Sequence, residues 1–99
     1  MTRQVSMDSV SALLTRQNRT VSNTSVIDGK LYLFGNNIIK LDNDDLYIRI
    51  HTNSVTTRER LNTLNKFGYN CHVKQVKGNV FVNGKAVNDY MEWIKIDKV

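Results

Sequence analysis

Proline is absent from the chain, and cysteine occurs once, at Cys71. A lone cysteine excludes an internal disulfide, and with only His51 and His72 beside it no zinc quartet can be assembled. Long apolar runs are missing as well. Nothing approaches the ~20 residues of a membrane-spanning helix, and the N-terminus lacks the apolar block of a signal peptide. The expectation is a chain that stays in a reducing cytoplasm, with no membrane partner and no cofactor. The missing proline and the abundant asparagine are a bias of the coding sequence and exclude no chemistry.

Catalytic fingerprints are also lacking. There is no phosphate-binding loop and no dinucleotide motif, since Gly35 and Gly68 stand alone as turn or cap residues. Cys71 adjoins His72, but neighbours on a strand point to opposite faces, which is poor geometry for a nucleophile and its base. The acidic loop Asp42-Asn43-Asp44-Asp45 lacks the glycine and terminal glutamate of a calcium loop and reads as a solvated turn. The chain is expected not to be an enzyme.

What is present bounds the partner. Ninety-nine residues make one domain with a single modest core, and a hydrophobic content of 40% suffices to fold it. Fourteen Lys and Arg against nine Asp and Glu leave a formal net charge of +5. That excess favours an anionic partner, nucleic acid or an acidic protein surface, through an attraction that salt screens.

Residues 1–23 differ in texture from the rest, being rich in Ser, Thr, Asn, Gln and Arg. Met7, Val10, Leu13 and Leu14 are spaced for a short amphipathic helix from about Ser6 to Gln17, the alternative being a basic arm. Residues 24–99 read as one α+β domain. Ser25-Val26-Ile27 and Leu31-Tyr32-Leu33-Phe34 flank the hairpin pair Asp28-Gly29; Gly35-Asn36-Asn37 is the next turn, and Ile38–Leu41 and Leu46–Ile50 are further strands. Leu31, Leu33, Leu46, Ile48 and Ile50 then share the core face.

The clearest local signal is 54–68. Thr56 with Glu59 suggests a capping box, Leu61, Leu64 and Phe67 recur at helical spacing, and Gly68 suits a left-handed stop. Two strands follow, Cys71–Val76 and Asn79–Val82, then the turn Asn83-Gly84-Lys85 and a final strand within Tyr90–Ile96. The whole predicts a twisted antiparallel sheet of about six to seven strands, four before the central helix and three after it, with helical cover on one face.

Three stretches together, Tyr32-Leu33-Phe34-Gly35-Asn36-Asn37-Ile38, Ser54-Val55-Thr56-Thr57 and Asn79–Lys85, resemble a family of small phage-encoded domains of unknown function. The resemblance spans about residues 31–85 and implies a phage accessory protein in the host bacterial cytoplasm, without implying an activity. The family pattern carries a histidine three positions after the double threonine, where this chain has Arg60.

With Leu46, Ile48 and Ile50 inward, Tyr47, Arg49 and His51 point outward, joined by Tyr32 and Phe34 and, after them, Lys40, His72 and Lys74. Rings interleaved with cations on an open sheet are the equipment of single-strand binding, in which bases stack and phosphates pair. The competing arrangement has the N-terminal helix covering those rings. Arg58 and Arg60, placed in the first helical turn beside the Ser54, Thr56 and Thr57 hydroxyls, suggest a second anion spot. The leading expectation is thus a nucleic-acid-binding phage protein. A host-takeover or counter-defence factor that inhibits a bacterial protein is the alternative, and a homo-oligomer sequestering a small anion is the third.

Overall fold

The computed structural model describes residues 2–99. Among these residues lie two α-helices, α1 (Thr2–Leu14) and α2 (Val55–Asn62), the latter running into a 3-10 turn at Thr63–Phe67. The strands are β1 (Arg19–Val21), β2 (Thr24–Ile27), β3 (Lys30–Leu33), β4 (Asn36–Asp42), β5 (Asp45–Ile48), β6 (Val73–Val76), β7 (Asn79–Val82), β8 (Lys85–Ala86) and β9 (Ile94–Ile96).

Two-residue turns with positive φ drive the meander. Asp28 and Gly29 adopt φ 50° and 76°, the mirror-image turn whose twist matches the flanking strands. The expected turn at Gly35-Asn36-Asn37 is displaced by one residue: Phe34 and Gly35 take φ 52° and 80°, and Asn36 already opens β4. Five strands in succession pair antiparallel with their neighbours, and β9 returns along β5, giving a six-stranded sheet in the order β1-β2-β3-β4-β5-β9. The single sheet expected from sequence is two. β6, β7 and β8 form a separate three-stranded sheet, because the 3-10 turn and Gly68, at φ 90°, carry the chain away from the first one.

Helical cover lies on one face. Val10 and Leu13 of α1 and Leu61 and Leu64 of the α2 segment join Val26, Leu31, Leu33, Leu46, Ile48 and Ile50 in one buried cluster. The N-terminal segment therefore belongs to the fold: α1 begins and ends earlier than its spacing suggested, and β1 adds an edge strand to the sheet. The tail pairs only from Ile94.

Asparagine amides join the two sheets' layers. The Asn62 side chain accepts from Val73 N at 2.7 Å and donates to Val73 O at 2.8 Å, pairing with β6 as a neighbouring strand would. Asn65 does the same for Cys71, accepting from its N at 3.2 Å and donating to its O. Cys71 is fully buried there, and desolvation pushes its thiol up to about 12. A thiol reagent at pH 8 is accordingly expected to leave the native protein unlabelled and to label it fully in denaturant. Because the folded value lies above the unfolded one, about 8.5, the stability this shift contributes is present below that value. It is lost as pH climbs toward about 12.

Candidate nucleic-acid interface

The candidate surface is the outer face of the six-stranded sheet. Register places Lys30 opposite Lys40, Lys40 opposite Tyr47 and Tyr47 opposite Lys95, so these four residues form a row across β3, β4, β5 and β9. At ~4.8 Å between strands the row is roughly 14 Å long. A neighbouring row holds Ser25, Tyr32 and Asn37. Since α1 packs on the opposite face with Val10 and Leu13, it does not cover these rings.

Trp93 organises the centre. Lys40 Nζ stands 4.4 Å from its ring centroid and 5.4 Å from that of Tyr47, while the Arg49 guanidinium stands 4.2 Å from Trp93. Cation–π contacts of this kind contribute about 0.5–1 kcal/mol when exposed and more when desolvated. Arg49 is fixed further by donating through Nε and Nη2 to Asn37 O, at 3.1 and 2.9 Å. Asn37 Oδ1 beside it is buried without a hydrogen-bond partner. Lys95 pairs with Asp45 at 3.6 Å, but Lys30 and Lys40 have no carboxylate within ion-pair distance among the described residues. Two like charges set directly opposite on a sheet are destabilising; the Tyr47 and Trp93 rings hold Lys40, whereas Lys30 opposite it has no such contact among the described residues.

Of the eight residues singled out from sequence, Tyr32, Lys40, Tyr47 and Arg49 come together on this face. His51 lies beyond the end of β5, at φ 59°, with its Nδ1 3.2 Å from Thr52 Oγ1. Lys74 is exposed on β6 and, with His72, belongs to the small sheet's surroundings, so neither joins the face. The first-turn anion spot is not formed. Ser54, not Thr56, is the N-cap: its Oγ accepts from Thr57 N at 3.1 Å and bonds Thr57 Oγ1 at 2.9 Å, which engages those hydroxyls within the cap. Ser54→Ala is expected to cost about 1 kcal/mol, read as a lower urea midpoint with an unchanged slope. Arg58 donates to Asn53 Oδ1, and Arg60 falls in the last turn, not the first.

Arg60 is the sharper correction. It is 1% exposed and turns inward, so the expected surface cation is a core residue. Its Nε donates to Thr24 Oγ1 at 3.1 Å, Nη1 to Ser6 Oγ at 2.5 Å and Nη2 to Asn23 Oδ1 at 3.3 Å. Glu59 Oε1 lies 3.6 Å from Nη1. Burial pulls the guanidinium below its ordinary value, and the Glu59 charge opposes that shift.

Sequence reading missed Lys30, Lys95 and Trp93. Strand parity marks the first two, since Lys30 alternates with Leu31 and Lys95 with Ile94 and Ile96. Trp93 immediately precedes β9, and only extending the Ile94–Lys95–Ile96 alternation back by one residue points it outward.

Among the described residues no group of three or more His, Cys, Asp or Glu is placed to hold a metal ion, and no helix is long and apolar enough to cross a membrane. Residues 2–98 match the profile of the family described as Kyanoviridae Gp96 protein. No curated protein and no solved structure matches the chain.

Proposed function

The chain belongs to the Kyanoviridae Gp96 protein family, a family of phage proteins, and within that setting we propose that it binds single-stranded nucleic acid in the host cytoplasm, without catalysis. The observation that carries this reading is the Lys30–Lys40 pair. Two lysines face each other without a carboxylate partner, on the sheet face that α1 leaves open, beside Tyr32, Tyr47 and Trp93. A polyanion relieves their mutual repulsion, and the half-buried Tyr32 and Tyr47 rings give bases of any sequence a surface to stack on.

The row orients the strand. Lys30, Lys40, Arg49 and Lys95 are the phosphate contacts, while Tyr32 and Tyr47 supply stacking surface. Trp93 holds Lys40 and Arg49 in place, and its ring is already engaged by them. Fluorescence anisotropy with labelled DNA and RNA single strands across a salt series tests the reading. With about 0.7 released counterion per contact, four contacts give a log–log slope of roughly −3. Undetectable or salt-insensitive binding would sink it.

Inhibition of a host bacterial protein is the second reading, favoured by the exposed apolar side chains Val55 and Met91. A pull-down from nuclease-treated lysate separates the two. One stoichiometric host protein retained favours inhibition; loss of every partner favours nucleic acid.

A further inference from the structure

Eight non-glycine residues of the described chain have positive φ: Arg16, Ser22, Asp28, Phe34, Asn43, His51, Lys77 and Asn83. Asp28, Asn43, Asn83 and His51 are of the types that tolerate the left-handed region. Phe34, the one large apolar residue among the eight, does not fit that explanation, and His51 is the other that carries a ring. Both line the same cavity of about 170 Å³, between the tip of the β3–β4 hairpin and the start of α2. Phe34 is moreover 70% exposed, so its ring has little packing to offset an unfavourable backbone. A left-handed backbone, which the hairpin turn requires, and an exposed large apolar ring, which it does not, coincide at one residue.

The cavity's chemistry is that of a base site. Leu33, Ile38 and Phe34 give the lining its apolar part, and Asn36 and His51 add hydrogen-bonding groups. A flat heteroaromatic ring with polar edges fits those surroundings, whereas a bare phosphate would meet mostly apolar walls. Position supports the same occupant. Lys30 and Tyr32 lie on the outer face of β3 and Phe34 stands at the hairpin tip that ends the strand, while Leu33, Ile38 and Thr57 set the cavity on the inner side of that tip. A nucleic-acid strand running from the lysine row past Tyr32 meets Phe34 at the tip and turns around it to enter the cavity.

We infer that the Phe34–His51 cavity receives one unpaired nucleobase, stacked on Phe34. The inference rests on the proposed single-strand reading for its source of bases, with a free nucleotide as the other source of the same ring. It assigns the sheet row to phosphates, and the cavity to whatever base preference the protein has.

Phe34→Asn tests it with two readouts. Asparagine suits the left-handed turn, so the melting midpoint is expected to rise, while affinity for an oligonucleotide falls about tenfold or more with an unchanged salt slope. Phe34→Leu keeps apolar bulk without a ring and is expected to lose the same affinity, which guards against a misfolded first variant. Wild-type affinity in both variants overturns the inference. If wild-type protein binds no oligonucleotide at all, the sheet-face reading fails on its own, and titration with the four mononucleotides decides the cavity: binding abolished by Phe34→Asn upholds it, and no binding overturns it.

Discussion

Arg60→Met is expected to lower stability by about 3 kcal/mol, a loss of roughly 12–24 °C in the melting midpoint for a domain of this size. The guanidinium joins three parts of the chain that are far apart in sequence: Ser6 on α1, Asn23 and Thr24 at the β1–β2 turn, and its own helix through Glu59. Methionine fills much of the volume but supplies no donor. The Ser6 and Thr24 hydroxyls, both in fully buried residues, then lose a partner, and Glu59 loses its counter-charge. Glu59 is about a third exposed and can be rehydrated, and the Ser6 and Thr24 hydroxyls still donate to Glu59 and Asn23, so most of the expected cost comes from the lost guanidinium bonds and from α1 loosening on the sheet. Arg60→Lys should recover only part of the loss, because an ammonium is a point charge and cannot span these acceptors as a planar fork does. Urea unfolding with an unchanged slope checks both variants. A loss below about 1 kcal/mol for Arg60→Met would mean that α1 is held by its apolar contacts alone.

Lys30→Glu is expected to move stability and binding in opposite directions. Its cross-strand neighbour is Lys40, so the substitution turns a like-charge pair into an opposite one, and the fold should gain about 0.5 kcal/mol. Binding should suffer, since one phosphate contact is replaced by a repulsive charge. Affinity for a single strand is expected to fall about tenfold near 0.1 M salt, with the salt slope shallower by about 0.7. Adding Lys95→Glu, at the other end of the row, should bring the fall to about a hundredfold. Arg49→Ala is a less clean probe. That side chain also holds the Asn37 carbonyl and the Trp93 ring, so its loss perturbs the sheet as well as the surface.

Much of the first sheet is legible in the sequence because its physics is local. Alternation places Leu31, Leu33, Leu46, Ile48 and Ile50 on the core side, and Asp28-Gly29 dictates its own turn. The same parity puts Tyr32, Lys40 and Tyr47 on the outer face. What was not legible depends on groups far apart in the chain. Arg60 reads as a surface cation until Ser6, Asn23, Thr24 and Glu59 are seen around it. Asn62 and Asn65 read as neutral helix residues, yet each completes a backbone pair on the segment leading into β6. That pairing belongs to the step by which the late strands leave the first sheet. Phe34 was legible as an outward ring, but its place in the turn itself, one residue earlier than expected, emerges only from the register of β3 against β4.

The central claim is that the lysine row of the outer sheet face contacts phosphate. Its most direct test is a salt series of anisotropy titrations, with a labelled single strand, on the wild-type protein and on Lys30→Glu. The account predicts a steep wild-type slope of roughly −3, and for the variant about tenfold weaker binding on a shallower slope, from a fold at least as stable. Equal affinity and equal slope for the two proteins would contradict it.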